Sequence, residues 1–203
     1  MVLKSENILN QERKNQIMEK TYVIEKWKHM PNMEKAFKEI QWVLSAIGKD
    51  ESRINLTRLC VQDGFFICTN GYSLHAAQID NEMLPNAMLP EDGKYEVVSN
   101  TQKAIVLKKD DQCADFPAVW EVFPPHHNPD KIQVSTYGKF ALTELATKIY
   151  RLIDKDLTIN IAYLEPFAKL EDEWEIYNYD HGSPVCFLNT NKIAAVMPMR
   201  LKE

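Results

Sequence analysis

The sequence predicts an α+β fold in which antiparallel sheets carry a few helices. Two tight-turn dipeptides, Asp63-Gly64 and Asn70-Gly71, separate short β-prone runs and mark hairpins. Two stretches, near residues 33–47 and 140–153, repeat apolar residues at helical spacing. Near the C-terminus three further strand-like runs are joined by polar turns, Asp180 to Pro184 and Asn189 to Asn191.

Residues 1–30 are assigned to an N-terminal extension. Its first 20 residues are dominated by Lys, Glu, Asn and Gln, the composition of a solvated helix or mobile segment, and Tyr22-Val23-Ile24 forms a short strand. Asn32 is the expected N-cap of the first helix. Met33, Ala36, Phe37, Ile40, Leu44 and Ile47 share one face of it, Lys35, Lys38 and Trp42 the other, and Gly48 ends it. A large aromatic among charges needs a cover, and for Trp42 the candidates are the extension, a subunit contact or DNA.

Strands follow at Asn55–Val61, Phe65–Thr69 and Tyr72–Ile79, turning at Asp63-Gly64 and Asn70-Gly71. Residues 81–93, with two prolines and the Glu91-Asp92-Gly93 turn, read as a loop before strands at Lys94–Ser99 and Ala104–Lys108. Pro124-Pro125-His126-His127-Asn128-Pro129 has a linker's composition, so the chain divides into halves at 31–125 and 126–203.

The second half begins with a strand at Ile132–Val134 and a helix at Phe140–Ile153. Leu142, Leu145, Ile149 and Leu152 form its buried stripe; Lys148, Arg151 and Lys155 cluster opposite, with Glu144 among them. A strand at Leu157–Ile161 precedes a short helix at Leu164–Leu170, where Pro166 in the first turn costs no hydrogen bond. The closing strands are Trp174–Tyr179, Val185–Leu188 and Lys192–Met197. Pro198 stops the last one, so it ends at a rim, and the flanking Met197 and Met199 suit an adaptable apolar groove.

Bulk properties narrow the function. A formal charge of −5 disfavours bulk adhesion to nucleic acid while permitting a local basic surface. No apolar run nears the roughly 20 residues of a membrane span, and the N-terminus lacks an apolar signal region, so a cytoplasmic protein is expected. Cys60, Cys68, Cys113 and Cys186 form no CxxC pair and read as small core residues. His126 and His127 have no partner at ligand spacing, so neither metal nor cofactor is expected. A phosphate loop, an HExxH motif and a nucleophile elbow are all absent, and the Glu171, Asp172, Glu173, Glu175 cluster reads as solvated surface. No enzymatic activity is expected.

Five strings carry a resemblance. Val196-Met197-Pro198-Met199-Arg200-Leu201 resembles the terminus of bacterial DNA polymerase III beta subunits, the sliding clamps. The run from Gly48 through Glu51-Ser52-Arg53 to Thr57, then Val61-Gln62-Asp63-Gly64 and Thr69-Asn70-Gly71-Tyr72-Ser73-Leu74, is similar to the clamp pattern Glu-Ser-Arg-Pro-x-Leu-Thr, Asp-Gly hairpin, Thr-Asp-Gly-His-Arg-Leu. Phe116 to Pro124 resembles the segment that leads from one clamp domain to the next. Asn70, Tyr72 and Ser73 replace the family's Asp, His and Arg, and a helix that a clamp half would place near residues 94–108 is missing.

The resemblance implies a DNA-clamp-like fold, curved antiparallel sheets with helices on the inner face. It implies a processivity factor for DNA replication that encircles duplex DNA without reading bases, with Lys35, Lys38, Lys148, Arg151 and Lys155 facing the DNA. Polymerase or repair peptides would dock in a groove built from Thr69, Gly71, Leu74, Pro124, Met197, Pro198, Met199 and Arg200. A complete bacterial subunit has three domains, so ring closure here implies a homo-oligomer of more copies. The rival reading keeps the fold without the ring: a peptide-binding module or replisome regulator of phage or mobile-element origin.

Overall fold

The computed structural model describes residues 20–27, 29–123, 130–153, 156–179 and 182–200. The chain runs through β1 (Thr21–Glu25), α1 (Pro31–Leu44), 3₁₀ turns at Glu51–Thr57, β2 (Leu59–Gln62), β3 (Phe65–Thr69) and β4 (Ser73–Gln78). It continues with β5 (Gly93–Asn100), β6 (Ala104–Lys109), a 3₁₀ turn at Val119–Val122, β7 (Asp130–Ser135) and α2 (Ala141–Leu152). The last part comprises β8 (Leu157–Thr158), a 3₁₀ turn at Ile161–Tyr163, α3 (Glu165–Leu170), β9 (Glu173–Asn178), β10 (Val185–Leu188), β11 (Lys192–Val196) and β12 (Met199–Arg200).

Ten strands form one antiparallel sheet in the order β1-β6-β5-β2-β3-β4-β11-β10-β9-β7, and β12 pairs separately with β8. At its centre β4 lies against β11, with Ser73 opposite Val196, Leu74 opposite Ala195 and His75 opposite Ala194. The order outward from this seam is β4-β3-β2 on one side and β11-β10-β9 on the other. Each side is thus a strand, a helix and three antiparallel strands: β1, α1, β2–β4, then β7, α2, β9–β11. The sides differ at one place. The β5–β6 hairpin inserts between β1 and β2, whereas β7 pairs directly with β9. That hairpin stands where the clamp pattern predicts a helix.

Strand alternation separates two cores. One face of the sheet, with Phe66, Cys68, Ala77, Trp174, Phe187, Ala194 and Val196, packs against Phe37 and Ile40 of α1, Leu145 and Ile149 of α2, and Phe167 of α3. The outer face, with Cys60, Ile67, Leu74, Ala76, Cys186 and Ala195, is covered by Val119, Val122 and Phe123 of the 3₁₀ segment. Helices therefore lie on one side of the sheet and the Phe116–Phe123 strap on the other. All four cysteines are free and buried, and burial pushes the Cys60 and Cys186 thiols up to about 11 and about 12.

Several sequence expectations need correction. α1 starts two residues earlier than an N-cap at Asn32 would place it, with Met30 as N-cap and Pro31 in the first turn, where its missing N–H is harmless. It ends at Leu44 rather than at Gly48. Gly48 serves a close approach instead: its N–H donates to the Leu56 carbonyl at 2.8 Å, and a Cβ there would sit 2.9 Å from that oxygen. Residues 55–57 belong to the 3₁₀ turns, not to a strand, because the Asp50 carboxylate accepts the Ser52 N–H at 3.0 Å and starts a helical turn. Likewise β8 stops at Thr158, since Asn160 Oδ1 accepts the Ala162 N–H at 3.0 Å and opens the next 3₁₀ turn. Trp42 does not face the charged side of α1. It is buried, stacked on His75 with ring centroids 4.4 Å apart and set edge-on to Phe167 at 5.6 Å, so α3 supplies its cover. No helix among the described residues is long and apolar enough to cross a membrane.

Candidate functional site

The loop between β3 and β4 is held by its own side chains. Thr69 Oγ1 donates to the Ser73 carbonyl at 2.8 Å and accepts the Gly71 N–H at 3.1 Å. Asn70 Oδ1 accepts the N–H groups of Tyr72 and Ser73, each at 2.8 Å, and the Asn70 N–H donates to the Ser73 carbonyl at 3.2 Å. Asn70 thus sustains the turn by side-chain mimicry of backbone pairing, and Gly71 takes a φ of +88° that side chains rarely adopt.

The C-terminal run is fastened to this loop. β11 ends opposite Ser73, and the Met197 N–H then donates to the Tyr72 carbonyl at 2.8 Å. Pro198 has no N–H to continue the ladder; the chain leaves the large sheet, and Met199 and Arg200 pair with Thr158 and Leu157 of β8. Continuing the alternation of β11 puts Met197 on the outer face with Ala195. Tyr72, Met197 and Met199 are 57%, 37% and 44% exposed, while Leu74 is buried beneath the outer face. The fold therefore gathers Thr69, Gly71, Leu74, Met197 and Pro198 at one rim, with Met199 and Arg200 along β8. Pro124 lies outside the described residues.

Two residues at this rim escaped the sequence reading. Tyr72 was noticed only as a departure from the clamp pattern, yet it presents the most exposed aromatic ring of the loop. Arg53 lies in the 3₁₀ segment with its guanidinium against Gly71, where a Cβ would meet its terminal nitrogens at 2.9 and 3.0 Å. The only sequence signal for it was its place in the Glu51-Ser52-Arg53 string.

The candidate DNA-facing residues lie on the helical side. Lys35 and Lys38 are exposed on α1, each facing a glutamate one turn away: Glu39 at 4.0 Å and Glu34 at 3.7 Å. Lys148 pairs with Glu144 at 3.0 Å and donates to the Gln133 carbonyl at 3.2 Å. Arg151 is exposed with no salt bridge among the described residues, and Lys155 lies outside them.

A polar cleft of about 770 Å³ opens at one end of α1, between Lys35, Lys38, Asp80, Tyr137, Asp172 and Lys192. At its floor Lys192, 1% exposed, has its ammonium 2.8 Å from Glu39, 2.9 Å from Asp172 and 2.9 Å from Asn191 Oδ1. Its three donors are satisfied, and the network joins α1, β11 and the turn before β9. Among the described residues no three His, Cys, Asp or Glu side chains are grouped to hold a metal ion.

The fold defined by this sheet and its one-sided helices is that of a DNA sliding clamp. The solved structures it resembles are bacterial DNA polymerase III beta subunits. Against the protein from Borrelia burgdorferi the TM-score is 0.55 at 15% identity, covering 90% of this chain and 65% of that one. Against Thermotoga maritima it is 0.55 at 16% identity, covering 90% and 66%. Against the sliding clamp of C. crescentus it is 0.58 at 13% identity, covering 89% and 65%. The chain thus spans about two thirds of the length of the subunits it resembles. No protein-family model and no curated protein sequence matches it.

Proposed function

We propose that this protein is a clamp-fold accessory of DNA replication, without catalytic activity and acting in the cytoplasm, that docks short apolar peptides of polymerases or repair proteins. The dock is the rim where the Thr69–Leu74 loop meets the Val196–Arg200 run, and the halves 31–125 and 126–203 each contribute one wall. The observation that carries this reading is the Tyr72–Met197 backbone bond, which fastens the two clamp-like strings together and leaves Tyr72, Met197 and Met199 exposed beside it. Exposed, adaptable methionines around a rigid loop suit insertion of apolar side chains. The test is binding of a labelled polymerase-tail peptide, measured by anisotropy. Met199→Ala should weaken binding roughly tenfold, the cost of one interface anchor; unchanged binding sinks the groove.

A second reading concerns DNA. In a homo-oligomeric ring, Lys35, Lys38, Lys148, Arg151 and Lys155 would face the duplex and attract phosphates without sequence preference. The helices' shared side of the sheet supports this arrangement, whereas the glutamates beside three of the lysines weaken the pull on phosphate. Mass in solution discriminates: a closed trimer or larger assembly favours the ring, and a concentration-independent monomer favours the stand-alone peptide-binding module.

A further inference from the structure

We propose that the exposed face of α2 holds single-stranded DNA by stacking unpaired bases on Phe140 and Tyr150, an inference that rests on the DNA reading of the helical side above and does not need a closed assembly. The observation that carries it is where the bare rings lie. Phe140, Tyr150 and Tyr137 are 73%, 62% and 59% exposed, the three most exposed aromatic side chains among the described residues. All three fall in α2 or just before it, whereas the buried side of that helix is made by Ala141, Leu145 and Ile149. Phe140 and Tyr150 each stand next to a cation in the chain. Lys139 precedes Phe140 and Arg151 follows Tyr150; both cations are exposed, and neither has a salt bridge among the described residues. At 1.5 Å per residue the two pairs lie about 15 Å apart along the helix axis. Exposed Thr143 and Thr147 separate them, and the one acid on this face, Glu144, is taken up by Lys148 at 3.0 Å.

Rings alternating with unpaired cations suit a single strand: bases stack on the rings whatever their identity, and the cations meet phosphates. Duplex DNA cannot use the rings, because its bases are stacked on one another and turn only their edges to the grooves. An aliphatic pocket of about 310 Å³ opens beside Tyr150, between Ile153, Ile159 and Leu164, so a base laid on that ring finds apolar surface next to it. A protein partner is the poorer match. The core of a protein interface is apolar and poor in charge, whereas here threonines and cations separate the rings. Tyr137 is not part of the track. It shares a cleft with Asp172, Glu173 and Glu175, whose charges repel phosphate.

The experiment measures the anisotropy of a fluorescein-labelled oligothymidylate of about 16 nucleotides, and of a labelled duplex of the same length, with the full chain at low and moderate salt. The single strand should bind roughly tenfold tighter than the duplex, the scale of one stacked base. Phe140→Leu and Tyr150→Leu should each weaken single-strand binding roughly tenfold and leave duplex binding unchanged. Tyr150→Phe should bind as the unaltered chain does, since the ring and not the hydroxyl stacks. Arg151→Gln should lower the salt slope by about 0.7 for the phosphate it releases, and Tyr137→Ala should change nothing. A thermal melt of each variant checks that the fold is retained. If the duplex binds as tightly as the single strand, or the leucine variants keep full single-strand affinity, this proposal is overturned and the DNA reading stands. Leucine variants that keep that affinity but lower the mass of the chain in solution overturn it too, by assigning the rings to a second copy. If neither form of DNA binds, the DNA reading itself fails.

Discussion

Met197 donates its backbone N–H to the carbonyl of Tyr72 at 2.8 Å, tying the chain just past β11 to the loop between β3 and β4. That bond holds the rim only while the loop keeps its shape, and the shape depends on Gly71. A Cβ at position 71 meets a φ of +88° and the terminal nitrogens of Arg53 within 3.0 Å.

Gly71→Ala is therefore expected to cost about 1 kcal/mol, from the left-handed backbone rather than from the guanidinium, which can swing aside. Peptide affinity should fall more than stability does, because the loop and Arg53 move together. Urea unfolding and peptide anisotropy on the same variant check this. Full stability and full affinity in the alanine variant would show that the loop tolerates the side chain.

Lys192 offers a sharper stability test. Its ammonium is buried between Glu39 and Asp172, so Lys192→Met leaves the Glu39 carboxylate, 2% exposed, without its close buried cation and with only the exposed Lys35 at 4.0 Å. Removing one member of a buried pair costs roughly 3–5 kcal/mol. Combining it with Glu39→Met should recover a substantial part, since the stranded charge is then gone. Equal losses in the single and double variants, measured by chemical denaturation, would mean that the network is not what holds α1 against β11.

How much of this was legible beforehand depends on whether the deciding contact is local. Asp63-Gly64 announced its hairpin because both residues need positive φ, 51° and 78° here, and few residue pairs accept that. Pro198 announced the end of β11 because a proline cannot donate to a ladder. Trp42 was misplaced because a helical wheel sees one packing surface, whereas α1 is covered on a second side by Phe167 of α3, far along the chain. The same holds for Lys192, an unremarkable strand lysine until Glu39 and Asp172 close over it. At the rim, Met197 and Gly71 were readable from their strings, but Arg53 was not, since nothing local says which glycine its side chain will cover.

The charge pattern on the helices yields a counter-intuitive expectation. Glu34 and Glu144 sit beside Lys38 and Lys148, so in a DNA-encircling assembly these acids limit phosphate attraction. Replacing both with Gln should strengthen retention on circular duplex DNA and steepen the salt dependence by about 0.9 in log–log slope for each cation freed to meet a phosphate. No change in retention or slope would remove the helical face from DNA contact.

Acid should weaken the fold through His75 before it reaches the carboxylates. The ring is stacked on Trp42, its Nδ1–H donates to the Trp42 carbonyl at 2.9 Å, and among the described residues Nε2 has no hydrogen-bond partner. Burial therefore pushes its pKa from 6.5 down to about 4. In the unfolded chain the imidazole takes a proton near pH 6.5, while the folded one stays neutral until about pH 4. Unfolding thus takes up a proton in that window, and stability falls as pH drops through it, by about 1.4 kcal/mol per pH unit and on the order of 3 kcal/mol in all. The salt-bridged carboxyls of Glu34 and Asp110 are held below their ordinary values, so their contribution is lost only at lower pH. His75→Phe keeps a flat ring for Trp42 to stack on, and the Trp42 carbonyl retains the Ser45 hydroxyl as donor at 2.5 Å. Its unfolding free energy, measured in urea from pH 7 to pH 5, should be nearly level where that of the unaltered chain slopes. Parallel slopes would place the acid sensitivity elsewhere.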